Sequence, residues 1–180
     1  ASRAWRFRPA RTLLLKGLER AEDPVARAMI QGTLGLVEAE LGDRRAGLRL
    51  IDSAMTQQSG MPPAEVGKLY AQRGLIQTRL GNTQHALADF ANAMPRLVDE
   101  PEEYGRACMN RGNLYLQQGD IPHAISDFEE SARAFERAGL PEPTAKATHN
   151  LGYAAMLAGQ LARGLSLMDR AAPILRRLSV

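Results

Sequence analysis

Ahead of Gly81 the apolar residues Leu69, Tyr70, Ile76 and Leu80 recur at helical spacing, Leu69 and Ile76 seven apart and Ile76 and Leu80 four apart, which places them on one side of an α-helix. The same spacing recurs along the chain. It predicts a leading helix over 9–21, then helix pairs over 24–41 and 44–58, 63–80 and 83–97, 101–118 and 121–138, and 142–158 and 161–178. The breaks carry turn chemistry, in "AEDP", "SGMPP", "VDEP" and "AGLPEP". Pro95 and Pro173 fall late in second helices, where each is expected to kink or end its helix.

The pairs repeat one another residue by residue. A glycine is followed seven positions on by a second glycine, then by a small residue, a large apolar one, and Ala or Ser. Gly35 and Gly42 lead to Gly47, Ile51 and Ala54; Gly74 and Gly81 lead to Ala86, Phe90 and Ala93. Gly112 and Gly119 lead to Ala124, Phe128 and Ser131; Gly152 and Gly159 lead to Gly164, Met168 and Ala171. Successive copies start 39, 38 and 40 residues apart. The second glycine suits the left-handed residue that ends a helix. Asp43, Asn82 and Asp120 follow it as N-caps of the next helix. Pro122 then falls in a first helical turn, where its missing N–H costs little. The first glycine and the later small residue let two antiparallel helices approach closely. Each unit is a helical hairpin that must stack on neighbours to bury its apolar faces.

Over residues 28–178 this pattern resembles the tetratricopeptide repeat (TPR), with its W-x2-L-G-x2-Y, A-x3-F and P positions. Two departures stand out. The period is 38–40 rather than the usual 34 or so, and the signature Trp is missing, Trp5 lying outside the repeats. The long period and the "NLG" and "RGN" runs look like the extended repeats of the LGN/Pins and kinesin-light-chain families. The Arg- and Ala-rich "LSLMDRAAPILRRL" is similar to actinobacterial TPR arrays, some of which are joined to CHAT peptidase domains. The resemblance implies an all-α, right-handed superhelical solenoid of antiparallel helix pairs, forming one domain over 1–180. It also implies a bacterial, cytoplasmic protein-binding scaffold.

Composition changes this picture little. The formal charge of +3 is a small excess and demands neither nucleic acid nor membrane as a partner. No apolar run approaches the roughly 18 residues of a membrane span. One cysteine, Cys108, excludes an internal disulfide and a multi-Cys metal site. Catalytic chemistry is thin as well. His85 and His123 share one repeat slot and Asp89 and Asp127 another, which reads as surface structure, the two aspartates on solvated helix faces. Cys108 and His149 lie on first helices of adjacent repeats and read as a buried thiol and a groove histidine rather than a nucleophile pair. The chain is read as no enzyme, with no cofactor and no metal. An RNA-reading helical repeat would need a continuous basic face; here arginines are interleaved with acids, as in "DRRAGLRLID".

The candidate site comes from two polar rows. Two positions before each first glycine stand Thr33, Gln72, Asn110 and Asn150; six before stand Met29, Lys68, Arg106 and Lys146. The rows are one helical turn apart on one face. The amides can donate to and accept from an extended backbone, and the cations favour an acidic ligand. Asn110 and Asn150 are similar to the asparagine ladder of the LGN and kinesin-light-chain groups, and Arg79 and Asn113 extend the groove. The expected partner is an acidic protein segment. The alternative is a sensor array that controls an attached peptidase or transcription regulator. The last helix still carries Leu161, Leu165, Met168, Ile174 and Leu175, so the chain is expected to be cut from a longer repeat protein, its bare ends self-associating.

Overall fold

A computed structural model describes residues 4–57 and 59–177. Every regular element among them is helical, and the chain divides into two compact units, 1–96 and 97–180. The first unit holds α1 (Ala4–Arg20), α2 (Pro24–Leu41), α3 (Arg44–Met55), α4 (Pro63–Leu80), α5 (Thr83–Ala93) and a single 3-10 turn, Met94–Arg96. The second holds α6 (Pro101–Gln117), α7 (Ile121–Arg137), α8 (Pro141–Leu157) and α9 (Leu161–Arg177). α2–α3, α4–α5, α6–α7 and α8–α9 are the four expected hairpins. α1 begins five residues earlier than the periodicity suggests, and α3 ends at Met55.

Local chemistry sets the boundaries. Gly42, Gly81, Gly119 and Gly159 all take left-handed backbone, with φ of 112°, 80°, 76° and 79°. Asp43 caps α3 by accepting from the Ala46 N–H at 2.8 Å, and Asp120 caps α7 through the His123 N–H at 3.4 Å. Asn82 departs from expectation and makes no side-chain cap. Its Nδ2 donates instead to Oε1 of Gln77 at 2.8 Å, a buried amide that needs a partner. Pro95 ends α5, which gives way to the 3-10 turn centred on it. Pro173 does not end α9; half-buried Ile174 and Leu175 hold the last turn, and Arg176 and Arg177 suit its negative end.

The first glycines sit where helices nearly touch. A side-chain carbon on Gly35 would stand 2.7 Å from the Gly47 carbonyl oxygen, and one on Gly112 would stand 2.9 Å from the Phe128 ring. Phe90 and Phe128 are fully buried between their helices. In the first unit Ile51, Leu69 and Ile76 form one apolar cluster; in the second, Phe128, Leu151 and Ala154 form another.

Asp89 and Asp127 correct the surface reading given to them from the sequence. Their side chains are only 5% and 4% exposed. Arg73 clasps Asp89 with two nitrogens at 2.7 and 3.0 Å, and Arg111 clasps Asp127 at 2.7 and 2.8 Å. Arg73 also reaches Asp52 at 3.1 Å. The guanidiniums lie 5.5 Å from the Tyr70 ring and 5.8 Å from the Tyr115 ring. The carboxylate hydrogen bonds push both arginine pKa values further up. Each pair joins the residue before the first glycine to the residue fifteen after it. In the other two hairpins those slots hold Leu34 and Leu50, and Leu151 and Leu167. One position pair is thus filled either by a two-pronged ion pair or by two leucines. This is the exchange expected where a buried pair is only as stabilising as the apolar packing that could replace it.

Candidate peptide-binding strips

The expected rows lie on first helices, and each unit carries its own part. On α4, Lys68 is half-buried and its Nζ meets Glu65 Oε1 at 2.9 Å. One turn on, Gln72 has its Oε1 buried without a hydrogen-bond partner. Arg79 pairs with Glu40 of α2, and its Nη1 is buried without a partner. Thr33 adds nothing to the amide row, because its hydroxyl donates to the Met29 carbonyl of its own helix at 3.0 Å.

In the second unit α6 carries Arg106, Asn110 and Asn113, and α8 carries Lys146 and Asn150. Here two expected residues from adjacent hairpins meet: Asn150 Nδ2 donates to Asn113 Oδ1 at 3.3 Å. Half-buried Asn110 lies one helical turn from Asn113. The cations are answered on their own helices. Arg106 pairs with Glu102, and Lys146 with Glu142 at 2.5 Å. A cation following an acid by three or four residues on a helix is a sequence-readable pairing, so these acids could have been found beforehand. The cationic row is therefore a row of ion pairs. Arg106 and Lys146 are 56% and 52% exposed, and such exposed pairs are worth only about 0.3–0.5 kcal/mol. A ligand carboxylate could take the place of the glutamate at little cost.

Two further residues of the α8 stripe escaped the sequence reading. Tyr153 and Leu157 follow Lys146 and Asn150 at helical spacing, and both are exposed.

The reactive side chains do not converge. Cys108 is fully buried, and its thiol pKa is pushed up to about 12, by burial first and the nearby Asp127 carboxylate second. A neutral buried thiol is a poor nucleophile. His85, His123 and His149 are exposed. His123 Nδ1 lies 2.7 Å from Asp120 Oδ2, and its ring stacks on Tyr115 with centroids 5.1 Å apart. Among the described residues no group of His, Cys, Asp and Glu side chains could hold a metal ion, and no helix is long and apolar enough to cross a membrane.

The tetratricopeptide-repeat sequence profile matches residues 105–136, which span most of α6 and α7. No curated protein matches the chain's sequence significantly. Solved structures match its fold. BtubC (BKLC) from P. vanneervenii superposes with a TM-score of 0.80 at 20% identity, over 96% of this chain and 74% of the other. Kinesin-light-chain-like TPR repeats from Podosopora anserina give 0.71 at 15% identity, over 96% and 88%. A signal-transduction ATPase with a tetratricopeptide repeat sensor, from Pyrococcus horikoshii, gives 0.77 at 17% identity, over 93% of this chain and 26% of that one. The fold is that of tetratricopeptide repeats, kinesin-light-chain-like ones among them.

Proposed function

We propose that the chain is a non-catalytic, cytoplasmic bacterial scaffold whose first-helix strips bind an extended, acidic segment of another protein. The reading rests on one observation, the Asn150–Asn113 hydrogen bond across adjacent hairpins. That bond uses one amide hydrogen of Asn150 and one lone pair of Asn113. It leaves the Asn113 NH2 and the Asn150 carbonyl oxygen to meet a ligand. A donor and an acceptor side by side match the C=O and N–H that one residue of an extended peptide presents on the same edge. Arg106 and Lys146 lie about one turn before the amides Asn110 and Asn150, where they would meet a ligand carboxylate in exchange for Glu102 and Glu142. Lys68, Gln72 and Arg79 form the corresponding strip of the first unit.

The test is selection of binders from a displayed library of short unstructured segments, using the folded chain as target. Selected segments should be rich in Asp and Glu. Asn113→Ala with Asn150→Ala should weaken them by about tenfold, as expected for the loss of one or two hydrogen bonds. Arg106→Gln with Lys146→Gln should remove the acidic preference. Unchanged binding in both double variants, with native circular dichroism, would exclude this site.

A second reading is favoured by the likeness to the ATPase's repeat sensor. In it the same strips sense a ligand on behalf of an attached effector domain.

A further inference from the structure

A cavity of about 400 Å3 opens on the α2–α3 hairpin, lined by Gln31 and Glu38 of α2 and by Ala46, Arg49, Leu50 and Ser53 of α3. The repeat register explains why it is open. Ala46 occupies the slot of His123 and Arg163, and Glu38 the slot of Tyr115. In the third hairpin the His123 ring stacks on Tyr115, and in the fourth Arg163 spans to Glu129 of the preceding second helix at 2.5 Å. Ala46 has no side chain with which to do either. By the same register it faces the preceding second helix, α1, whose Arg11 reaches Glu38 at 2.6 Å. A following hairpin does not close this space: Glu129 and Arg163, which bridge α7 and α9, are 32% and 44% exposed.

Arginines collect around the cavity. Arg49 lines it, Arg45 stands one turn earlier on α3, and Arg8 one turn before Arg11 on α1. Arg8, Arg45 and Arg49 are exposed and make no ion pair among the described residues. The nearby acids Glu38 and Asp52 are held by Arg11 and Arg73. These cations serve the fold poorly. Arg45 sits in the first turn of α3, at the helix's positive end, and it repels Arg49 four residues on. The other hairpins hold no charge at these two slots, which read Gln84 and Ala88, Pro122 and Ser126, and Ala162 and Ser166. The first hairpin departs from the repeat in a way that costs stability and sets unpaired guanidiniums beside an open cavity.

We propose that this cavity binds a small phosphate ester, a sugar phosphate or a mononucleotide. Guanidinium forks match phosphate oxygens, so the phosphate goes to Arg49 and Arg45. Gln31 Nε2 donates to Ser53 Oγ at 3.1 Å, which leaves the Ser53 O–H to donate to the ligand. The Glu38 carboxylate accepts from the ligand's hydroxyl or amino hydrogens, and Ala46 and Leu50 meet its carbon skeleton. The volume lies at the lower end of the roughly 300–1,000 Å3 usual for small-molecule sites. A nucleic acid fits less well, because its backbone needs cations recurring along a track and the matching slots of the later hairpins carry none. None of the six lining residues belongs to the peptide-binding strips, so the two sites stand or fall separately.

Calorimetric titration of the whole chain with ribose 5-phosphate, adenosine monophosphate, inorganic phosphate and ribose tests this. At least one of the two esters should bind at millimolar concentration or below, more tightly than inorganic phosphate, and ribose should not bind. Arg49→Ala should weaken the ester at least about tenfold, as expected for the loss of a charge-assisted hydrogen bond. Glu38→Gln should weaken the ester and spare inorganic phosphate. Ala46→His, which restores the residue type of the second and third hairpins, should block the ester with the helical circular dichroism unchanged. Neither ester binding, both esters binding no better than inorganic phosphate, or ester binding that survives Arg49→Ala and Ala46→His would each overturn the proposal. So would sedimentation with phosphatidylglycerol vesicles that Arg49→Ala abolishes, which would assign the arginines to a membrane surface instead.

Discussion

At the scale of single residues, two kinds of tight glycine carry different costs. Adding a methyl group to a helical glycine gains up to about 1 kcal/mol of backbone entropy. At Gly112 the obstacle is the edge of the Phe128 ring at 2.9 Å, together with the Asp127 Cβ at 3.1 Å. At Gly47 it is the backbone carbonyl oxygen of Gly35 at 2.4 Å, which moves only if a helix moves. Gly47→Ala should therefore lose about 1–3 kcal/mol through overpacking, while Gly112→Ala should lose less. Denaturant midpoints of the two variants check the order, and an equal loss would show that the ring cannot tilt. Cys108 gives a pH prediction. Its thiol ionises near 9.0 when unfolded and near 12 in the fold. The unfolded state thus sheds a proton first, and the group's contribution to stability is intact below pH 9 and falls between pH 9 and 12. Tyr104, raised by burial from 10.0 to about 12, acts in the same direction. Thermal midpoints on either side of pH 9 should fall more steeply for the wild type than for Cys108→Ala. Matching slopes would mean that the thiol is not shielded.

At the scale of elements, the ion pairs of α4–α5 and α6–α7 make a double-substitution test. Arg111→Leu leaves the Asp127 carboxylate buried without its partner and should cost about 3 kcal/mol, the low end for a broken buried pair because the guanidinium is partly exposed. Arg111→Leu with Asp127→Leu recreates the arrangement of Leu151 and Leu167 and should recover most of that loss. Urea melts of the single and double variants decide it; a double variant no better than the single would mean the leucines cannot pack there. The sequence held a clue to this pairing. Arg and Asp occur together at two slots in two hairpins, and Leu and Leu occur together at the same slots in the other two. Taken alone, an Asp on a second helix reads as solvated, because its partner comes from sixteen residues away on the opposite helix.

Across the whole molecule, what was legible followed the range of the forces involved. Helix ends were readable because a left-handed glycine, a capping Asp and a proline in a first turn act within a few residues. Gly119, Asp120 and Pro122 are the clearest instance. The hairpin pairing was readable because small residues recur at fixed offsets. The polar strips were half legible. Their residues were named, but Asn113 with Asn150 and Arg79 with Glu40 depend on how one hairpin sits on the next. No periodicity within a single helix reports that.

The closure of each buried ion pair inside one hairpin bears on how such a chain can change length. Arg111 and Asp127 lie in the same repeat, as do Arg73 and Asp89. Duplicating or deleting a whole hairpin therefore carries both charges together and orphans neither. A crossover in the short turn between α6 and α7, joining the arginine-bearing helix to a second helix with leucine at that slot, would strand a guanidinium beside an apolar wall. For these buried pairs the inter-hairpin turns are thus the seams at which recombination strands no charge, and the intra-hairpin turns at Gly81 and Gly119 are not.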